Sequence, residues 1–356
     1  MSAGRPYLSV VAVSRNDNHG GDLLRRMRIF VSGLLQQADR HGPDCELILV
    51  EWNPPADRPP LAEALPWPAK PGRCRVRIIT VPAERHRRFR HAEALPLFQM
   101  LGKNVGIRRA AAPFVLATNI DLLFNDELMR FFAAGRLDPG RMYRIDRHDA
   151  SADVPDDEPV DRQLAFCAAN LLRVNARFGT RNLRTGRLTG VHGRLGGPLT
   201  RLADAVTERV SPGRVGRPLA LHTNACGDFT LMSAERWAAV RGYPEMPVFS
   251  MQLDSLLCYQ AHHAGTTETM LGEPMRVYHV EHASGSGFTP EGAAALYERI
   301  DRAGIVRVGS GLLYDWALHM RRTGRPIVFN EANWGLADEE FPETRPVETR
   351  PAEARA

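Results

Sequence analysis

The chain has 356 residues, 44% of them hydrophobic, with 46 Lys and Arg interleaved among 41 Asp and Glu for a net charge of +5. That length and apolar content support a large core. With no run near the ~20 apolar residues of a membrane span and no basic-then-apolar leader, the expectation is a cytoplasmic protein. The five scattered cysteines (Cys45, Cys74, Cys167, Cys226, Cys258) include no CxxC pair and argue against a disulfide framework or zinc knuckle, and no nucleic-acid module accompanies the basic charge.

Leu8 to Val13 is an apolar run rich in β-branched residues and predicts a strand buried on both faces. After a polar turn, Ser14 to Asp22, residues Leu23, Leu24, Met27, Phe30, Val31, Leu34 and Leu35 recur at helical spacing. Glu46 to Val50 reads as a second strand that ends in Glu51-Trp52-Asn53-Pro54-Pro55, and Val76 to Val81 as a third. The basic cluster Arg85 to His91 reads as a solvated loop, with a diphosphate, an anionic glycan or a peripheral membrane surface as its candidate partners. Ala94 to Ala112 carries a helical pattern. Pro113 to Thr118 then leads into Asn119-Ile120-Asp121 as a fourth strand with an acid at its carboxyl end, before a helix that Asp126 would cap. This alternation predicts an α/β chain with one mostly parallel sheet, and ligands bind beyond the carboxyl ends of such strands. Arg15, Asp17, Glu51, Asn53, Asn119 and Asp121 fall at those ends.

From Asp146 to Leu221 the pattern degrades, with an acidic stretch at Asp153 to Asp161, a helical segment at Leu164 to Val174 and a Gly- and Arg-rich run after Gly179. It reads as a long insertion, a lid or acceptor loop. Order returns with a strand at Gly227 to Met232, a helix at Ala234 to Arg241 and a turn at Gly242-Tyr243-Pro244-Glu245. A helix at Ser255 to His263, a strand at Pro274 to Val280, a flexible turn at Gly285-Ser286-Gly287 and a helix at Glu291 to Ala303 follow.

Three positions stand out chemically. Asp121 suits a cation ligand, because Asp126 is available for the cap. His279 leaves an apolar strand just before the Gly-rich turn. Strand alternation places His279 and Glu281 on one side and His282 on the other, so both imidazoles serve one ion only if the strand breaks between them. Asp254, at the start of an apolar helix, is a candidate general base held in its charged form by the helix N-terminus. Asn104 and Arg108, one turn apart, share a helical face next to Lys103.

Together these residues resemble the GT-A glycosyltransferases, most closely the family 2 type. The matching elements are Ser14-Arg15-Asn16-Asp17, Glu51, Lys103-Asn104-Val105-Gly106, Asn119-Ile120-Asp121, Gly242-Tyr243-Pro244-Glu245, Leu253-Asp254 and Tyr278-His279. Glu51-Trp52-Asn53-Pro54-Pro55 also resembles a stretch of exostosin-type transferases that borders the nucleotide. The resemblance covers about residues 7–130 and 224–288. It departs from the family pattern in having Asn119 for the first acid of the DxD motif, Leu253 for the Glu of the base motif, and Tyr-Pro for Phe-Asp in the turn.

The resemblance implies a single GT-A domain with a nucleotide-sugar-binding half at 1–145, an insertion at 146–222 and an acceptor and catalytic half at 223–290. A C-terminal helical extension at 291–337 and a disordered tail at 338–356 complete it. It further implies a nucleoside diphosphate sugar donor, expected to be uridine-based, and a carbohydrate or glycolipid acceptor. Mg²⁺ or Mn²⁺ would sit at Asp121 and His279. Arg15, Asp17, Glu51, Asn53, Lys103, Asn104, Arg108 and Asn119 would line the donor pocket, Asp254 would act as the base of an inverting displacement, and Asp228 and Trp237 would lie on the acceptor side. The rival readings are a non-catalytic nucleotide- or glycan-binding chain of the same fold and a sugar-phosphate nucleotidyltransferase. The latter would carry a Gly-rich phosphate loop directly after the first strand, where Gly20-Gly21 stand too late. A dinucleotide-dependent oxidoreductase is set aside, since no GxGxxG follows that strand.

Overall fold

The computed structural model describes residues 5–18, 20–189, 206, 210, 216–282 and 293–347. The Gly285–Gly287 turn, the tail after residue 347 and much of the stretch from 190 to 215 lie outside the described residues.

The strands, in chain order, are β1 (Leu8–Ser14), β2 (Cys45–Trp52), β3 (Cys74–Val81), β4 (Phe114–Thr118), β5 (Leu122–Phe124), β6 (Arg141–Ile145) and β7 (Arg147–Ala150). They continue with β8 (Leu171–Ala176), β9 (Gly179–Asn182), β10 (Leu188–Thr189), β11 (Phe229–Ser233), β12 (Thr267–Leu271), β13 (Val277–Val280) and β14 (Glu343–Thr344). The α/β layout is as expected, but the strands form two sheets, not one. The larger has the order β12-β6-β11-β4-β1-β2-β3-β14, and β4, β1, β2 and β3 are mutually parallel. β11 runs antiparallel to β4 and β6, and β14 antiparallel to β3. The smaller has the order β10-β9-β8-β7-β13-β5.

Every residue of β1 is buried because helices cover both faces of the large sheet. Alternation sends Leu8, Val10 and Ala12 into one core with helix Leu23–His41, and Val11 and Val13 into the other with Met100, Leu101 and Val105 of helix Gln99–Arg108. Gly106 allows that second helix to lie directly on the sheet, since a Cβ there would fall 2.5 Å from Val11 Cγ1. This helix is shorter than the pattern at 94–112 suggested, and it begins only after Pro96, which cannot occupy a helix interior.

The insertion is more regular than its composition indicated. Its helix spans Val160–Ala169, starting after Pro159, and β7 to β10 build one side of the small sheet. The described part of the tail is ordered too. Glu343 pairs with Ile79 across β14 and β3, and the Arg109 guanidinium donates to the carbonyls of Gly335, Leu336 and Glu339. The helix Asp126–Ala133 is capped by Asn125, whose Oδ1 accepts from Leu128 N (3.1 Å), and not by Asp126.

Candidate active site and metal centre

A cavity of ≈ 1390 Å³ opens where the carboxyl ends of β1 and β4 meet β13 and the helix Leu253–His263. Asp121 lies on its wall, three residues past the end of β4, and its backbone carbonyl accepts from Val280 N at 2.9 Å. This pairing draws the end of β13 against Asp121. β13 stops at Val280, so the strict alternation that separated the two histidines ends there. His279 Nε2 lies 3.6 Å and His282 Nε2 3.5 Å from the same atom, Asp121 Oδ2. The three side chains thus offer their ligand atoms within 4.8 Å of one another.

Asp121 Oδ2 also accepts from Arg26 Nη1 at 3.0 Å, while its Oδ1 is buried with no hydrogen-bond partner. A buried, unsatisfied carboxylate oxygen beside two imidazoles is a donor set that fits a divalent cation. Burial alone would raise the Asp121 carboxyl, but the neighbouring His279 and His282 hold it well below the usual carboxylate range. Burial and Arg147 press the His279 imidazole toward neutrality, yet Asp121 and Asp149 outweigh them and raise it to about 9.

Behind His279 lies a layer of paired charge. His279 aligns with Asp149 in the β13–β7 register, and its Nδ1 is 3.4 Å from Asp149 Oδ1. Asp149 is fully buried and is also met by Arg147 (2.7 Å), Arg173 (2.5 Å) and Asn175 (3.0 Å). Its carboxyl is therefore far below its ordinary value, burial being outweighed first by Arg147. A second grouping, Asp149 with His279 and Glu281, has cation-like spacing, but guanidiniums already occupy it, since Arg173 pairs with both Asp149 and Glu281. Arg147 extends the layer to Asp228 at 2.6 Å. Asn119 donates to the other oxygen of Asp228, Gln99 donates to Asn119 Oδ1 (2.8 Å), and Ser250 donates to Gln99 (3.1 Å).

Asp254 stands in the first turn of helix Leu253–His263 and lines the cavity. Its Oδ2 accepts from Gly227 N and its Oδ1 from Ser255 N, both at 2.8 Å, which aims the carboxylate with backbone donors alone. Lys103 is buried behind it and donates to Gly227 O at 2.6 Å. Burial lowers the Lys103 ammonium to about 8 against the pull of Asp228 and Asp254. The loop that carries Gly227 is held by Arg144, fully buried, which donates to the carbonyls of His222, Asn224 and Cys226 and to Thr230 Oγ1.

Of the expected donor-pocket residues, Arg15, Asp17 and Asn119 line the cavity, and Arg15 and Asp17 pair at 3.4 Å. Glu51, Asn53, Lys103, Asn104 and Arg108 are not among its lining residues, and each has a local reason. The buried Glu51 carboxylate accepts from Leu61 N (2.8 Å) and starts the short helix there. Asn53, at φ 49°, donates to Pro96 O (3.0 Å). Lys103 spends its ammonium on the Gly227 carbonyl. Asn104 binds the backbone of Tyr243 through both ends of its amide and so ties the helix to the 242–245 turn. Arg108 stacks over Trp334 at 4.9 Å. On the acceptor side, Asp228 lines the cavity, whereas Trp237 is fully buried, its indole N–H donating to Val115 O (3.0 Å). In the basic cluster at 85–91, Arg85 pairs with Glu339 at 2.6 Å and His86 is buried, while Arg87, Arg88 and Arg90 are exposed.

Arg26, Arg147 and Asp149 escaped sequence reading. Arg26 left one signal, a cation inside the apolar stripe between Leu23 and Phe30.

No protein-family profile and no curated protein matches the chain. Similar solved structures are GT-A-type glycosyltransferases at low identity. They include S. aureus TarS residues 1–349 (TM-score 0.40, 13% identity, 77% of this chain and 60% of that one). The same fragment in complex with UDP-GlcNAc matches with a TM-score of 0.39, 13% identity and 88% and 70% coverage. The catalytic domain of Drosophila beta1,4galactosyltransferase 7 in complex with xylobiose matches with a TM-score of 0.35, 11% identity and 81% and 79% coverage. The match to the TarS fragment without a bound ligand spans less than two thirds of that chain. These likenesses are remote, so the reading of this site comes from its own residues.

Proposed function

We propose that this chain transfers a glycosyl group from a nucleoside diphosphate sugar, expected to be a uridine one, to a hydroxyl acceptor. The observation that carries the reading is the Asp121–His279–His282 cluster on the wall of a cavity that Asp254 also lines. Those three side chains would hold a divalent cation. Two imidazoles beside one carboxylate favour a first-row transition ion such as Mn²⁺ over Mg²⁺, which prefers oxygen ligands. Bound there, the cation would offset the charge that builds on the departing diphosphate.

The remaining chemistry belongs to the chain. Arg26 adds a second positive group beside Asp121, while Arg15 and Asp17 border the same cavity where the nucleotide would enter. Asp254 would take the proton of the acceptor hydroxyl, its carboxylate aimed by the two backbone donors. Asp228 is the less suitable base, because it is ion-paired with the Arg147 guanidinium and also bonded by Asn119, and a carboxylate paired with a cation is a weaker proton acceptor than one met by neutral backbone donors. Attack from the Asp254 side would give a single displacement with inversion.

The test is nucleotide release from a panel of uridine, guanosine and cytidine diphosphate sugars with Mn²⁺. Turnover is expected and should vanish on chelation. Asp254→Asn should lower kcat about 10²- to 10⁴-fold while leaving Mn²⁺-dependent nucleotide binding intact. Nucleotide binding with no turnover under any acceptor would overturn the transfer reading in favour of a binding protein of the same fold. Full activity in Asp254→Asn would remove Asp254 from the chemistry.

A further inference from the structure

The sequence from residue 162 to 189 contains six arginines and no Asp or Glu. Three of them, Arg181, Arg184 and Arg187, lie on the hairpin formed by β9 and β10 at the edge of the small sheet, and all three are exposed. The turn is a built one. Asn182 Oδ1 accepts from Arg184 N (3.0 Å) and Thr185 N (2.9 Å), Gly186 takes φ 68°, and Asn182 N donates to Arg187 O at 2.9 Å.

Some exposed arginines elsewhere on the molecule are paired with carboxylates, such as Arg302 with Glu298, Arg130 with Glu127 and Arg141 with Asp138. Among the described residues no carboxylate pairs with Arg181, Arg184 or Arg187. The same hairpin holds two exposed leucines, Leu183 (41%) and Leu188 (54%), and Phe178 (39%) stands at its base. Arg177, Phe178 and Thr180, also at its base, line the candidate active-site cavity.

We propose that this hairpin is a docking surface for an anionic lipid bilayer. Cations alone would serve a soluble polyanion equally well. The leucines beside them decide the matter, because apolar side chains gain nothing from a hydrated glycan but gain from entering the headgroup boundary. No helix among the described residues is long and apolar enough to cross a membrane, so the contact is at the surface. Docking there sets the mouth of the cavity against the bilayer, within reach of an acceptor anchored in it.

The test uses the full chain without donor or metal, so its failure leaves the proposed chemistry standing. Sedimentation with vesicles of phosphatidylcholine alone is compared with an equimolar mixture of phosphatidylcholine and phosphatidylglycerol. Binding is expected on the mixed vesicles only, and should fall with added salt. Replacing Arg181, Arg184 and Arg187 by alanine should lower partitioning about a hundredfold, from roughly fivefold per arginine, and replacing all three by lysine should retain it. Leu183→Ser with Leu188→Ser should weaken binding several-fold without changing its salt dependence. All five side chains are exposed, and thermal unfolding of each variant should match the parent. Equal binding to both vesicles, or undiminished binding by the alanine variant, would overturn the proposal. So would capture on a heparin column with no binding to either vesicle, which would make the hairpin a glycan surface.

Discussion

The two sheets solve the problem of burial in opposite ways. The large sheet is apolar through its centre, with Leu8, Val10, Leu47, Leu49 and Leu116 on one face and Val11, Val13, Ile48, Val50 and Val115 on the other. Removal of that surface from water holds it together. The small sheet buries Asp149, Asn175 and His279 in adjacent strands beside the part-buried Arg147 and Arg173, all held by mutual charge and hydrogen bonds. Charged groups taken out of water cost far more than apolar ones unless fully paired. A fold that keeps them next to a cavity wall uses them to fix the orientation of a reactive cluster. The large sheet supplies the frame, and the small sheet supplies the aim.

The largest expected effect tests the second half of that contrast. Asp149→Ala removes a shared buried partner from the Arg147 and Arg173 guanidiniums, which keep Asp228 and Glu281, and from His279, and should cost about 2–4 kcal/mol in urea unfolding. It also removes the acceptor facing His279 Nδ1, so Mn²⁺ affinity of the folded fraction should fall about 10- to 100-fold. Asp149→Asn keeps hydrogen-bond acceptors there and should recover most of both. A loss under about 1 kcal/mol would mean that the charge layer is ornamental to folding.

The pH profile of the metal-free protein comes next. His279 titrates at about 9, above its ordinary 6.5. Its contribution is therefore complete below about pH 6.5 and is lost as pH rises through 9, at most about 3 kcal/mol. Lys103 works in the other direction. Burial lowers it from 10.5 to about 8, so the fold gains from its neutralisation as pH rises across that interval. The clean measurement is the difference between the parent and His279→Gln, which should shrink from pH 7 to pH 10. Saturating Mn²⁺ requires the neutral ring, so metal affinity should increase over the same range. A difference independent of pH would show that His279 does not carry that charge.

The two sheets were not equally legible in the sequence. β1 to β4 announced themselves as apolar runs between turns, and Asp121 was visible as an acid just past the last of them. Asp254 was visible for a similar reason, at the head of an apolar helix. β7 reads Arg-His-Asp-Ala, which no hydrophobic period marks as a buried strand, and its burial depends on partners far along the chain, such as Asp228 for Arg147. Arg26 was hidden by the same logic, its partner lying 95 residues away. The converse case is that of polar groups near the same strand ends. Glu51 and Asn104 had the chemistry expected of ligand contacts, but nearby backbone N–H and C=O groups claim them. Local sequence shows that a polar group is present without showing which turn consumes it. His282 comes beside Asp121 and His279 because β13 ends at Val280, a matter of one residue that composition does not specify.

On the apolar side, Gly106→Ala should be destabilising by about 1–3 kcal/mol although alanine is the better helix former. The added methyl would meet Val11 Cγ1 at 2.5 Å and Val50 Cγ2 at 3.1 Å, both in the packed second core. Urea unfolding should show the loss with Mn²⁺ affinity unchanged, because no polar neighbour of the metal cluster is touched. An unchanged midpoint would mean that the helix can lift from the sheet at little cost, and that the frame is looser than its packing implies.

The smallest effect isolates burial from pairing. Arg77 grips Glu343 through two nitrogens, at 3.0 and 2.8 Å, at the edge of the large sheet where the side chains are 18% and 28% exposed. The geometry is as good as that around Asp149, but water reaches it. Partial solvation and screening should hold the cost of Glu343→Gln to about 1 kcal/mol or less, and high salt should erase most of that. Arg77 would keep Glu46 (3.2 Å) and the carbonyl of Arg109 (2.9 Å), so no guanidinium is orphaned. Salt titrations of this variant and of Asp149→Ala, run side by side, separate the two explanations for the small sheet. If pairing geometry alone set the strength of an ion pair, the two losses would be alike. If desolvation sets it, only the Asp149 loss should remain large and insensitive to salt.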